Sequence, residues 1–474
     1  MLALLIVIPL VAAAASSLIP WYQVRSWLVP AVSAPHLLLA ILLAGGVLPA
    51  SGVWIGLDAL SSLVLVVTSL LFFGCSLYAV AYLDLRRDRG NQVMVPCLLV
   101  FLSAMTLAVA ARHLGLLWIA VEATTVASAP LIYFNRNRLS IEATWKYLLI
   151  CSVGIALAML GLLFVAYAAL GNGVPVSLQF DKLLGEATTL SKPWLHAGFV
   201  FMLVGFGTKM GLAPLHTWKP DAYGEAPGLV GALLAGGLTS VAFLAILRGV
   251  QLMTAAGDGI LARQELLGMG LLSLLVAAVF MVGQPDIKRL LAYSSVEHMG
   301  LLAIGVGIGG LATFGAMLHL VNNALTKGGL FLAAGNIQRA YASKHLAEVR
   351  GAMSALPISG SLFLAGFLAI TGSPPFGPFM SEFTILRGIF GSDHLAVGLL
   401  VLLLLATVFI GMGATVLAAT QGEATADPPE FRDRPLLCLA PLGFMLLILL
   451  LGVYIPESLQ HVLRQAAALL EVQP

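Results

Sequence analysis

Five ionisable side chains lie inside long apolar stretches where leucine or valine would be ordinary: Glu122, Lys209, Glu297, Lys327 and Glu382. A charge near the middle of a bilayer costs at least ~2.5–3.5 kcal/mol, so residues placed there are paired, hydrated or functional. One such pair fits a structural ion pair that fixes helix packing; this many in a single chain fit the movement of charge better. Glu122 sits in LLWIAVEATTVASAPL (116–131) and Lys209 in GFGTKMGLAPLHTWKPDAYGEAP (205–227). In LHLVNNALTKGGLF (318–331), His319, Asn323 and Lys327 are spaced i, i+4, i+8. On a helix they share one face, with a rise of ~6 Å per step. A proton path needs titratable or hydrogen-bonding groups at spacings that water can bridge, and this face supplies them. His216, Glu297, His298, Asn323, Thr239 and Ser240 are the accessory polar groups of such a path.

The elements that carry these residues are membrane spans. Apolar segments fall near 2–20, 27–49, 57–83, 93–112, 114–134, 145–170, 194–215, 227–250, 265–284, 290–309, 311–337, 356–390, 394–420 and 435–455. Stretches of about 20 apolar residues are what a spanning helix needs. The fold class is therefore all-α: a polytopic membrane protein of about fourteen transmembrane helices. The first 20 residues lack a basic leader region and read as helix 1, not as a cleaved signal. Only 171–193 and 421–434 are long enough between spans for much structure of their own. Pro214, Pro220 and the glycines around Lys209 predict a break in helix 7, and SPPFGPFMSEF (373–383) predicts a second in helix 12, with Glu382 just beyond it. Broken helices at corresponding places in two halves point to an inverted-repeat transporter whose freed carbonyls line a wet cavity.

Lysine and arginine collect in the loops of one side, including Arg86, Arg87, Arg136, Lys219, Lys288, Arg289, Lys344 and Arg350. That bias places loops 84–92, 135–144, 285–290, 338–355 and 421–434 in the cytoplasm and both termini on the opposite side. Of 474 residues 60% are hydrophobic and 10% charged, against about 25% charged in soluble chains, so no water-facing domain fits. A net charge of +2 with no basic run excludes nucleic acid as a partner. Cys75, Cys97, Cys151 and Cys438 form no CxxC pair, which argues against a disulfide framework, an iron–sulfur cluster or a zinc site. No metal, redox centre, nucleotide or other cofactor is expected.

With these residues in view, the chain resembles the antiporter-like subunits shared by respiratory complex I, multisubunit sodium/proton antiporters and membrane-bound hydrogenases. Within that group it is most similar to component F of the hydrogenase-4 and formate hydrogenlyase type. LLWIAVEATT, TKMGLAPLHTWKPDAYGEAP, DIKRLLAYSSVEHMG (286–300), LHLVNNALTKGGLF and SPPFGPFMSEF carry the resemblance, over about residues 55–390. It implies helices 1–3 at 1–92, inverted five-helix repeats at 93–250 and 265–420, and helix 14 with a short tail at 435–474. It implies that Glu122 and Lys209 form the helix-5 glutamate and helix-7 lysine pair, and that Lys327 is the helix-11 lysine with His319 beside it. Glu382 takes the helix-12 position. It also implies assembly with other membrane subunits and a peripheral redox arm of iron–sulfur and nickel–iron subunits in a prokaryotic inner membrane.

The chain departs from this family in three places. Asn323 stands where some members have a second histidine, and helix 8 (228–247) has no ionisable group, leaving Thr239 and Ser240 as its nearest polar ones. The long lateral helix of the largest complex I paralogue is absent from the stretch after helix 14. The expected mechanism is electrostatic: Glu122 holds Lys209 as ammonium, and weakening that pair releases a proton through the His319–Asn323–Lys327 face toward Glu382. Each charge moved against 100 mV costs ~2.3 kcal/mol, so the driver must lie in partner subunits. A gradient-driven cation/proton antiporter subunit, or a scaffold that moves nothing, are the other readings.

Overall fold

The computed structural model describes residues 1–170, 177–422 and 430–471. Most of these are helical, and among them extended pairing is limited to three isolated bridges. The order of spans is helix 1 (Leu2–Leu18), 2 (Tyr22–Ala44), 3 (Ala59–Asp84), 4 (Met94–Ala110), 5 (Leu114–Ile132) and 6 (Arg138–Leu170). Helix 7 has two halves (Lys192–Met210 and Trp218–Glu225), followed by helix 8 (Gly228–Ala255), 9 (Gly259–Met281), 10 (Ile287–Ile308) and 11 (Leu311–Tyr341). Helix 12 is again in two halves (Pro357–Ile370 and Gly377–Phe390), and helices 13 (Leu395–Gln421) and 14 (Pro435–Val453) complete the set.

Among the described residues nine helices are long and apolar enough to cross a membrane, and helices 1, 4 and the first half of 12 are shorter apolar ones. Lys192–Met210 and Leu311–Tyr341 are long enough but too polar to be recognised that way. They are the helices that carry Lys209 and Lys327. The most apolar stretch of helix 8 is 100% buried, against 33% for helix 13 and 39% for helix 6. The outer helices expose Trp145, Leu149, Val153, Leu403 and Ile410, a surface suited to lipid and unsuited to water.

The helix breaks have local causes. Helix 7 stops at Gly211, whose φ of 83° is left-handed, passes Pro214 and resumes at Trp218. Pro220 is tolerated in the first turn of the new half, where its missing N–H is needed by no helical bond. Helix 12 repeats the pattern with Gly372 at φ 68°, Pro374, Pro375, and Pro378 in the first turn after the break. The first half of helix 7 packs along helix 6, and both halves of helix 12 pack along helix 11. Helices 6 and 11 are the long unbroken rods of 33 and 31 residues. In helix 8 a π-helical turn spans Leu233–Leu238. Gly236 lies there against helix 11 so closely that a Cβ would meet the Ala324 carbonyl at 2.8 Å.

Two sequence expectations need correction. Helix 7 does not end near residue 215, because the stretch read as a loop turns back into helix at Trp218. Lys219 is consequently buried and is no loop charge, and Lys288, at the start of helix 10, is buried as well. The stretch after helix 14 forms an amphipathic helix, Glu457–Ala468, seated on helices 3 and 11 with Leu463 inward. Just beyond it Glu471 accepts hydrogen bonds from the Gly310 amide (2.8 Å) and the Thr313 hydroxyl (2.9 Å) and pairs with Arg263. Of the two long connections, 171–176 and 423–429 lie outside the described residues; 180–185 and 187–189 form short helical turns.

Candidate functional site

Lys209 is fully buried in the last turn of the first half of helix 7, where the negative end of the helix dipole favours a cation. Its Nζ donates to the Thr125 hydroxyl and the Tyr147 hydroxyl, each at 2.8 Å, and lies 4.7 Å from the Tyr147 ring centre. The Thr125 hydroxyl in turn donates to Glu122 Oε2 at 2.9 Å, and Tyr147 shares a 2.7 Å hydrogen bond with Ser128. Helix 5 supplies Glu122, Thr125 and Ser128 at three-residue spacing on one face, and helix 6 supplies Tyr147. The glutamate and lysine are therefore not in direct contact. Among the described residues no carboxylate comes within the 4.0 Å of an ion pair to Lys209; Thr125 stands between the two.

Lys327, also fully buried, donates to the Ser294 hydroxyl of helix 10 at 2.6 Å and reaches the Leu291 carbonyl at 3.5 Å. One turn along helix 10, Glu297 is buried with Oε2 3.7 Å from His298 Nε2. His298 Nδ1 lies 3.0 Å from His319 Nε2, and His319 Nδ1 lies 2.9 Å from the Ser381 hydroxyl. The protons of this chain can be assigned from the partners. The Ser381 hydroxyl donates to the Pro378 carbonyl at 2.9 Å, so it accepts from His319 Nδ1. His319 Nε2 then accepts from His298 Nδ1, which leaves His298 Nε2 as the bare acceptor facing Glu297. A proton entering at His298 Nε2 can leave at His319 Nδ1 by reversal of both ring tautomers.

Glu382 lies beside the two rings. One ring nitrogen of each histidine and one Glu382 oxygen fall within 4.8 Å of one another. Among the described residues Glu382 Oε1 has no hydrogen-bond partner, and the side chain borders a cavity of about 370 Å³ lined by Thr371, Gly372, Pro374, Phe383 and Leu405. Two imidazoles and a carboxylate could in composition hold a transition metal. Lys327 lies in electrostatic reach of both rings, however, and an ammonium there opposes a dication.

The accessory residues divide. Asn323 is buried between His319 and Lys327 with neither amide atom bonded to protein, as a side chain that holds water would be. His216 is buried in the helix 7 break with Nδ1 unpaired and its ring centre 6.4 Å from that of Tyr293. Thr239 and Ser240 are committed locally: each hydroxyl donates at 2.6 Å to a carbonyl of helix 8 itself, Ala235 and Gly236. The sequence reading missed Thr125, Ser128, Tyr147, Ser294, Ser295, Ser381 and Lys219. Lys219 donates to the Ser295 hydroxyl at 3.1 Å, with Nζ 5.8 Å from the Tyr223 ring centre.

Residues 111–411 match the family model described as NADH:quinone oxidoreductase/Mrp antiporter, TM. The chain belongs to this family. A hydrogenase-4 component F homolog from Methylacidiphilum infernorum is 35% identical to this antiporter-like subunit over 428 residues, covering 87% of this chain and 88% of its own. NADH-quinone oxidoreductase subunit N from Desulforudis audaxviator is 31% identical over 342 residues, 72% of this chain and 67% of its own. The fold matches a chain in the Mrp complex from Dietzia sp. DQ12-45-1b at a TM-score of 0.86, with 20% identity over 98% of this chain and 96% of that one. It matches a chain in the membrane-bound sulfane sulfur reductase, an archaeal respiratory membrane complex, at 0.87, with 20% identity over 100% and 98%. This subunit is therefore a multi-pass membrane protein of the antiporter-like kind found in respiratory complexes.

Proposed function

We propose that the subunit translocates protons within a hydrogenase-4-type or related complex I-like assembly, driven by redox chemistry in partner subunits. The observation that carries the reading is the character of the buried lysines. Among the described residues Lys209 and Lys327 meet hydroxyls and no carboxylate within 4.0 Å, whereas Arg248 holds one carboxylate and Lys344 two, each at 3.0 Å or less. A cation that only fixes packing is stabilised by a counter-charge; one that must give up its proton is better served by neutral groups able to accept it. Helices 4–8 and 9–13 act as the paired repeats, with Glu122, Thr125 and Lys209 as the input of one half. Lys327, Glu297, His298, His319 and Glu382 form the line of the other. The partner arm holds iron–sulfur and nickel–iron subunits, the assembly sits in a prokaryotic inner membrane, and both termini lie outside the cytoplasm.

Substitution at Lys327 tests the reading. Lys327→Arg keeps a cation, but a guanidinium with a pKa above ~12 does not release its proton. Proton flux in proteoliposomes, normalised to redox turnover of the assembled complex, is expected to fall as far in Lys327→Arg as in Lys327→Ala. Normal flux in the arginine variant would return Lys327 to a packing role. The likeness to a chain of the Mrp complex favours a second reading, a gradient-driven cation/proton antiporter; sodium-sensitive flux without a redox partner would select it.

A further inference from the structure

We infer that Lys219 is the proton carrier joining the two halves, taking the place that stretch 228–247 of helix 8, which has no ionisable residue, leaves open. The inference rests on the pumping reading above and deepens it.

Helix 8 lies between the Lys209 and Lys327 regions without an ionisable group in Gly228–Leu247, and the Thr239 and Ser240 hydroxyls are spent on its own carbonyls. The second half of helix 7 carries an amine past it instead. Lys219 stands on the first turn of that half, fully buried, and its Nζ bonds Ser295 of helix 10 at 3.1 Å. Ser294, the preceding residue, bonds Lys327 at 2.6 Å. The two lysines thus approach helix 10 from helices 7 and 11 and meet the hydroxyls of consecutive residues. Lys219 and Lys327 are in electrostatic reach of each other, and Cys151 is in reach of both Lys209 and Lys219.

The local structure is shaped around this amine. Gly211, at the break, leaves the space the lysine occupies: a Cβ there would meet Lys219 Cε at 2.0 Å and Nζ at 2.6 Å. A packing role is poorly supported, because no carboxylate among the described residues comes within 4.0 Å of Nζ. Lys288, fully buried like Lys209, Lys219 and Lys327 and likewise without an acid within 4.0 Å among the described residues, has a structural explanation. It bonds the Ala226 carbonyl at the end of helix 7 and the Gln338 side chain (3.2 Å), the usual place for a cation at a helix C-terminus. In transfer, the Lys219 ammonium breaks one N–H bond to leave a neutral amine. Ser295 gains that proton and passes its own toward Ser294 and Lys327, whose neutral amine forms the new N–H bond. No electron moves, and one positive charge crosses from helix 7 to helix 11.

The test uses the whole complex in proteoliposomes, with flux per redox turnover compared across Lys219→Met, Lys219→Arg, Ser295→Ala, Lys209→Met and Lys327→Ala. Lys219→Met is expected to fall to the level of Lys327→Ala, and Lys219→Arg equally far because it cannot hand on a proton. Full flux in either Lys219 variant, with Lys327→Ala inactive, overturns the link and leaves the pumping reading standing. Full flux in Lys209→Met and Lys327→Ala overturns the pumping reading, and the link with it. Should Lys219→Met fail to assemble, Ser295→Ala decides: reduced flux with the lysine intact supports the link, and unchanged flux ends it.

Discussion

Thr125 occupies the place between Glu122 and Lys209 and makes their interaction depend on one hydroxyl. Removing it by Thr125→Val should separate the charges while keeping the shape. Flux per turnover is then expected to drop toward that of Glu122→Gln, with assembly preserved in both, as seen by recovery of the intact complex on a sizing column. Unchanged flux in Glu122→Gln would reduce Glu122 to a packing residue. Rarity explains what the sequence could disclose here. A glutamate or lysine inside an apolar run is conspicuous because water-free burial is costly. Thr125, Ser294 and Ser381 are ordinary in membrane helices, where such hydroxyls bond their own backbone, and Tyr147 is an ordinary aromatic. Their role arises only when another helix brings a lysine or histidine within 3 Å, which no spacing along one chain reports. Lys219 was hidden by company: between tryptophan and a Pro–Asp pair it reads as a loop charge, although that proline lies in the first turn of a helix that begins at Trp218.

At the scale of elements, helix 3 is tied to helix 8 by a bidentate pair. Arg248 donates to Asp58 at 2.5 and 3.1 Å, to Ser61 at 2.6 Å and to Gln251 at 2.8 Å. Burial pushes the Asp58 carboxyl up, but the Arg248 guanidinium outweighs it and holds the group below its ordinary value. The folded state thus gains from this pair fully above about pH 4, the ordinary carboxylate value, and loses it as pH falls through the depressed one. Asp58→Asn should lower stability in detergent by about 3–5 kcal/mol, because Arg248 stays buried without its partner. A thermal melt indistinguishable from the parent's would show the pair to be dispensable. Helix 11 offers the opposite case. Asn323→His places a titratable ring between His319 and Lys327, where neither amide atom has a protein partner, and flux is expected to survive it. Both helix breaks were legible from Pro and Gly alone. The π-turn of helix 8 was not, since its glycines fit a straight helix equally well and only the close approach of Ala324 distinguishes them.

For the molecule as a whole, fourteen spans could be read from apolar length, and the charge bias of the loops gives the orientation still to be measured. Cysteines placed in 84–92 and 338–355 are expected to react with an impermeant reagent from the same side; labelling from opposite sides would break the even alternation of spans. The two helices less apolar than the other long spans have a consequence for biogenesis. A lysine at the centre of a span opposes insertion by about 2.5–3.5 kcal/mol, and helix 11 adds His319, Asn322 and Asn323 to that load. Such a segment has little tendency to leave the translocon for lipid unaided, whereas helices 13 and 14 should partition at once. The ribosome has made helix 10 before helix 11 and makes helix 12 soon after, so the polar rod can wait beside the translocon until Ser294 and Ser381 are there to receive it. In a glycosylation-mapping assay, helix 11 alone is expected to insert in a minor fraction of chains and helices 10–12 together in most. Efficient insertion of helix 11 by itself would mean that the membrane accepts the proton line before the protein around it exists.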